Sequence, residues 1–422
     1  MAETKEMIWR NAWDEPFRMV LRAPVGANRA MGGEAAPAAF MAPQEIEMVR
    51  RFHSSFPGYR PTPLAVMPST AEALGIGALY VKDESWRFGI DAFKVLGGSY
   101  AIGRSLAQRL GLDPKTLTYG AITSPEAAEK LGKLTFVTAT DGNHGRGVAW
   151  TARRLGQKSV VYMPQGSSLE RKQHIDDEGA EVTITDLNYD EAVRLARRRA
   201  EENGWLMVQD TAWEGYKDIP RWIMQGYGTM ALEALEQMPA KPTHIFLQAG
   251  VGSMAGAAAG FFAAALDEAC PAVIIVEPEN AGCLYQTAKA DDGRLHFVTG
   301  KMETIMAGLA CGEPCSFGWN ILRRQARAFL TCPDRAAAYG MRILGSPAKE
   351  DPRVISGESG AAAFGCAAAI LTEPGLAGWR ELLGLDRQSR VLVFSTEGAT
   401  DRAAYRAIVW DGAYPYSPSA NR

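Results

Sequence analysis

The run LTFVTAT, Leu134 to Thr140, followed by HGRGVAWTARRLG, His144 to Gly156, decides the architecture. A short β-branched and aromatic stretch ends in polar residues, and apolar residues then recur at helical spacing. The change of period repeats through SVVYMP (159–164) and SLERKQHIDDEGA (168–180), then EVTIT (181–185) and DEAVRLARRRAEENG (190–204), and closes on LMVQD (206–210). Short strands alternating with helices need crossover connections, so the sheets are mainly parallel and the class is α/β. Working outward, ALYVKDE (78–84), HIFLQAG (244–250), AVIIVEPE (272–279) and RVLVFSTEG (390–398) read as further strands of the same kind. Before them, TPLAVMPSTAEALG (62–75) reads as a short strand feeding a helix with Ser69 or Thr70 near its N-cap. Trp9 and Trp13 mark an ordered N-terminal arm, to which the sequence assigns no chemistry.

Composition narrows the function. A chain of 422 residues, 47% apolar, can bury a large core and hold two lobes. Its formal charge of −3 and lack of basic runs argue against nucleic acid as a partner and favour a small molecule. The N-terminus mixes acids with bases and has no apolar signal segment. The most apolar stretch, Ala255 to Leu266, is shorter than the ~18 residues of a membrane span and reads as a core helix. No membrane association and a cytoplasmic location are therefore expected. The six cysteines lack the spacing of a zinc site, so no metal is expected, and spacing alone cannot establish a bridge between Cys283 and Cys311.

Ligands on open α/β sheets bind beyond the carboxyl ends of the strands, and there the unusual residues gather. Lys94 follows Phe93 and precedes Val95, Leu96, Gly97 and Gly98, apolar company that desolvates an ammonium and suits a Schiff-base lysine as well as a snorkelling one. The loop TDGNHG carries Thr140, Asp141, Gly142, Asn143 and His144; it could wrap a carboxylate, or Thr140 or Asp141 could simply cap the next helix. QDTAWEGY offers a second strand-end carboxylate, Asp210. AGVGSMAG places Gly250, Val251, Gly252, Ser253 and Met254 between strand and helix, where backbone N–H groups can cradle a phosphate without side-chain charge. A lysine together with a monophosphate cradle points to pyridoxal 5′-phosphate.

With these motifs in this order, the sequence resembles the fold-type II, tryptophan synthase β-like, pyridoxal-phosphate enzymes. DESWRFGIDAFKVLGGSYA, TATDGNHGRGVAW, QDTAWEGYKDIPRWIMQGYGTM and ETIMAGLACGEP bring it nearest to the diaminopropionate ammonia-lyases among them. The resemblance implies two open, mainly parallel twisted sheets flanked by helices, with the cofactor in the cleft between a large domain (1–104 and 218–422) and a small one (105–217). It implies that Lys94 carries the cofactor, that Asn143 lies near its 3′-oxygen, that residues 250–254 hold its phosphate, and that Ser395 or Thr396 meets the pyridine nitrogen. Glu358, in SGESG, could face the site, although capping by Ser356 or Ser359 explains that string as well. Asp141 stands where many dehydratases of the fold carry serine, which favours a substrate with an amino group on Cβ.

The implied reaction is α,β-elimination of D- and L-2,3-diaminopropionate to pyruvate and two ammonia through an aminoacrylate, by a homodimer. Asp141 and Asp210 would each remove the Cα proton of one isomer, and Thr140, Gly142 and His144 would help to hold the substrate. Two other readings stay open at this point: a serine or threonine dehydratase of the same fold, and a non-catalytic pyridoxal-phosphate carrier, against which the two carboxylates count.

Overall fold

A computed structural model describes residues 5–22, 38–140, 142–211, 213 and 215–416. Its strands in chain order are β1 (Lys5–Arg10), β2 (Pro16–Leu21), β3 (Leu64–Val66), β4 (Ala78–Asp83), β5 (Thr135–Ala139) and β6 (Lys158–Met163). They continue with β7 (Glu181–Ile184), β8 (Leu206–Met207), β9 (His244–Gln248), β10 (Ala272–Pro278), β11 (Ala326–Cys332) and β12 (Arg390–Ser395). Two sheets result, one in the order β1-β2-β11-β10-β9-β12-β4-β3 and one in the order β7-β6-β5-β8. The second is parallel throughout, and in the first β11, β10, β9, β12 and β4 run parallel between antiparallel edges.

The parallel strands of the large sheet are buried on both faces, which is why they read as unbroken apolar runs. Ile245, Leu247, Leu392 and Phe394 face one core, while Phe246, Val391 and Val393 face the other, the alternation a pleated strand imposes. Helices Pro43–Ser54, Lys94–Leu110, Asp218–Gln237 and Ser253–Leu266 cover the first face. Helices Pro68–Leu74, Asp334–Gly345 and Glu358–Thr372 cover the second. The N-terminal arm is the β1–β2 hairpin, which pairs β2 antiparallel to β11.

Two readings change. The helix Pro68–Leu74 has Met67 at its N-cap without a side-chain bond; Asp351 caps it from afar, accepting from the N–H groups of Ser69 (3.0 Å) and Thr70 (2.6 Å). Glu358–Thr372 starts after Gly357, and the group accepting from the Ser359 N–H is the Glu397 carboxylate at 3.0 Å. Neither Ser356 nor Ser359 caps it: the Ser356 hydroxyl has no hydrogen-bond partner, and that of Ser359 accepts from Gly308 N at 3.0 Å.

The segment leading to Lys94 is anchored by a buried charge cluster. Arg87, fully buried, donates to both oxygens of Glu84 (2.8 Å each) and to both of Glu233 (2.9 and 2.7 Å), and Lys82 lies 2.7 Å from Glu233. Charges this deep persist because each carboxylate oxygen has a cationic donor. The Lys94–Leu110 helix then packs so tightly on its neighbours that side chains cannot fit between them. A Cβ on Gly226 would stand 2.2 Å from Leu96 O, and one on Gly147 2.8 Å from Val95 Cα.

Candidate active site

Lys94 is the first residue of its helix, and its backbone is aimed by hydrogen bonds between the preceding segment and the loop after β12. Phe93 N donates to Thr396 O at 3.1 Å, and Ala92 pairs with Glu397. The side chain, about 20% exposed, reaches into a pocket and donates from Nζ to Asp210 Oδ2 at 2.5 Å. Asp210 is nearly inaccessible. Burial alone would raise its carboxyl, but the Lys94 ammonium, with help from His144, holds it at about 2.

The pocket encloses about 750 Å³ including the solvent at its mouth, and it opens between the carboxyl ends of the two sheets. Of the residues singled out in the sequence, Lys94, Thr140, Asn143, His144, Asp210, Gly250, Val251, Gly252, Ser253, Met254 and Thr396 line it. Ser395 does not; it is buried, and its hydroxyl has no hydrogen-bond partner. Gly142 does not contribute a surface either, and its N–H donates to Thr140 Oγ1 at 3.0 Å. Thr140 Oγ1 also accepts from Gly145 N at 3.1 Å, so the capping reading of this loop holds for Thr140. His144 is pinned through Nε2 to Val208 O at 2.8 Å. Asp141 lies outside the described residues.

Residues 250–254 form a cradle whose carbonyls are engaged elsewhere. Gly250 O accepts from Cys283 Sγ at 3.7 Å, Val251 O from Cys315 N at 2.7 Å and Gly252 O from Gly256 N at 2.8 Å. In a trans peptide the N–H points opposite to its carbonyl, so Val251, Gly252 and Ser253 turn their N–H groups the other way, beside the helix N-terminus at Ser253. Gly252 takes φ +92°, and a Cβ there would also lie 3.0 Å from Leu284 Cδ1. Ser253 Oγ donates to Asp210 O at 2.5 Å, tying the cradle to the carboxylate's backbone. Uncharged donors at a helix start, beside a lysine amine, fit a phosphorylated aldehyde.

Several lining residues were not legible in the sequence. Gln248, at the end of β9, donates from Nε2 to Thr396 Oγ1 at 2.9 Å. Tyr189 accepts through its hydroxyl from Gln209 Nε2 at 2.9 Å, and Gln209 Oε1 in turn accepts from Thr138 Oγ1 and Ala139 N. Glu397 lines the pocket and accepts from Asn143 Nδ2. Glu358 stands behind it, raised to about 7 by burial and the Glu397 carboxylate, with Arg171 Nη2 3.9 Å away. An acidic residue in STEGATD reads as solvated, and only the fold buries it.

Two mainly parallel sheets, a lysine at the start of a helix and an uncharged phosphate cradle define a fold-type II pyridoxal-phosphate enzyme. The chain belongs to that family, described as pyridoxal-phosphate dependent enzyme, whose model matches residues 55–381. Within it the likeness is full-length to the diaminopropionate ammonia-lyases. The enzyme of that name from Salmonella typhimurium is 52% identical over 369 residues, 86% of this chain and 91% of the relative. The crystal structure of the selenomethionine-incorporated holo diaminopropionate ammonia lyase from Escherichia coli superposes with a TM-score of 0.86 at 45% identity, covering 98% of this chain and 99% of that one. The same enzyme in complex with an aminoacrylate-PLP azomethine reaction intermediate gives 0.83 at 45% identity, covering 98% of each chain.

Proposed function

We propose that the chain is a carbon–nitrogen lyase that converts 2,3-diaminopropionate, as D and L isomers, with one water to pyruvate and two ammonia. The observation that carries the reading is the buried Asp210 carboxylate 2.5 Å from Lys94 Nζ beside the Gly250–Met254 cradle. Binding a cofactor needs the lysine and the cradle and no carboxylate at the amine; Asp210 adds a group there that can move protons.

Bound there, pyridoxal 5′-phosphate supplies an aldehyde for an amine and an electron sink for negative charge at Cα. Lys94 Nζ would hold its aldehyde group, the N–H groups of 250–254 its phosphate, and Asn143 its 3′-oxygen. Thr396 rather than Ser395 would meet the ring nitrogen, because Thr396 is the one at the pocket wall and Gln248 fixes its hydroxyl. Asp210 Oδ2 takes the Cα proton of one isomer and Asp141 that of the other. Lys94 Nζ, when not bonded to the cofactor, would deliver a proton to the departing β-amine. Thr140 and His144, on the loop that also bears Asp141, would hold the substrate carboxylate, whereas Gly142, outside the pocket wall with its N–H bonded to Thr140 Oγ1, would only shape the loop.

The remaining assignments belong to the same proposal: a division near residues 105 and 217 into a large cofactor-binding domain and a small domain, a homodimer, and a cytoplasmic location. No single helix among the described residues is long and apolar enough to cross a membrane. Light scattering checks the dimer. Release of the 2-oxo acid, pyruvate from each isomer of diaminopropionate and from serine and 2-oxobutyrate from threonine, checks the reaction. Faster release from serine or threonine would make the chain a hydroxy-amino-acid dehydratase, and none from any substrate would make it a cofactor carrier. Lys94→Ala should abolish the covalent attachment of the cofactor, read by mass spectrometry after borohydride reduction.

A further inference from the structure

We propose that Glu397 is a positioning residue that fixes the Asn143 side-chain amide across the pocket and so sets the hydrogen bond Asn143 makes to the cofactor's 3′-oxygen. The inference rests on the cofactor reading above and goes beyond it by naming what orients Asn143.

Glu397 is about 2% exposed and immobilised along its whole length. Its backbone pairs with Ala92, two residues before Lys94, and its carbonyl accepts from Gly357 N at 3.0 Å. One carboxylate oxygen, Oε1, accepts from Ser359 N at 3.0 Å in the first turn of Glu358–Thr372; the other, Oε2, accepts from Asn143 Nδ2. A single buried side chain thus joins a helix start packed on the large sheet to the first residue of Asn143–Arg154, which follows the small sheet's β5.

The chemistry of the pair is directional. An ionised carboxylate only accepts, so it turns the NH₂ end of the amide toward itself. That group has two hydrogens, and with one committed to Glu397 the second is available to an acceptor in the pocket. A pyridoxal 3′-oxygen is such an acceptor. Charge-assisted hydrogen bonds are the strong ones, so the amide is held in one orientation before any ligand arrives. Glu397 serves Ser359 N and Asn143 Nδ2 with two separate oxygens; a glutamine there has one and must give up an acceptor bond.

The test uses the holoenzyme with Glu397→Gln, Asn143→Ala and the double variant. The readouts are the absorbance spectrum of the bound cofactor titrated with pH, its dissociation constant, and Tm. Losing a hydrogen bond to a charged group corresponds to roughly 10- to 100-fold. Glu397→Gln should therefore weaken pyridoxal 5′-phosphate binding by roughly tenfold or more and shift the cofactor's spectral titration in the same direction as Asn143→Ala. The double variant should match Asn143→Ala alone, because Glu397 acts through Asn143. A role confined to capping Glu358–Thr372 would lower Tm and leave spectrum and affinity as in the wild type; that outcome overturns the proposal, as do spectral shifts that add in the double variant. If the wild type shows no bound-cofactor absorbance, the cofactor reading itself is what has failed.

Discussion

Asp210→Asn should destabilise the cofactor-free protein, and the size of the loss follows from the Lys94 pair. Burial raises the Asp210 carboxyl, but the Lys94 ammonium, with a smaller part from His144, brings it from 3.8 to about 2. At 1.36 kcal/mol per unit this is about 2 kcal/mol of folding free energy. The carboxyl is depressed in the fold, so the contribution is complete above its unfolded value and is lost as pH falls from 3.8 through about 2; between pH 5 and 8 it is constant. For 422 residues an unfolding entropy of about 2.1 cal/mol/K per residue gives roughly 0.9 kcal/mol/K, so Tm should fall by about 2–3 °C. The companion experiment is the same substitution in a Lys94→Met background. There Asp210 is a buried carboxylate without its ammonium, and Asn in its place should be neutral or stabilising. Calorimetry of the four proteins at pH 7 measures the coupling. An equal drop in Tm for Asp210→Asn in both backgrounds would refute the argument, because the stabilisation would then not come from the pair.

Three further outcomes are expected. Positioned bases contribute about 10²–10⁴-fold, so Asp210→Asn and Asp141→Asn should each remove most activity on one isomer of diaminopropionate and spare the other, as initial rates on separate isomers would show; equal losses on both exclude the two-base scheme. Gly252→Ala forces a side chain into φ +92° and against Leu284, a cost of about 1–3 kcal/mol that should appear as roughly 10- to 100-fold weaker pyridoxal phosphate binding in a titration. Arg87→Met leaves Glu84 and Glu233 buried without their shared cation, and chemical denaturation should register a loss of about 3–5 kcal/mol.

The elements legible in the sequence were those with a clean period. β5 to β8 and the helices between them fell where strand and helix spacing put them, and the cradle stood at the end of β9 as parallel topology requires, while Lys94 opens a helix beyond the 3-10 turn that follows β4. β11 was not legible: ARAFLTC follows the helix Ser316–Gln325 without a turn signal between them. Capping failed as a local rule wherever the cap came from far away. Asp351 serves Ser69 and Thr70 from 282 and 281 positions along the chain, and Glu397 serves Ser359 from 38. The charge cluster was hidden for a related reason. Lys, Glu and Arg are almost never fully buried unless paired, and only their mutual contact lets Lys82, Glu84, Arg87 and Glu233 be buried.

The register of β4 on β12 has a consequence for how the molecule is made. Ala78 to Asp83 pair with Arg390 to Ser395, and Phe93 bonds to Thr396, so the lysine-bearing segment is completed by chain synthesised roughly 300 residues later. At 5–20 residues per second this is on the order of 15–60 s of translation during which Lys94 has been made and its pocket has not. The small sheet, whose strands all lie between residues 135 and 207, meets no such delay and can form while the ribosome is still at work. Cofactor capture is therefore a late event, possible only once nearly the entire polypeptide has emerged.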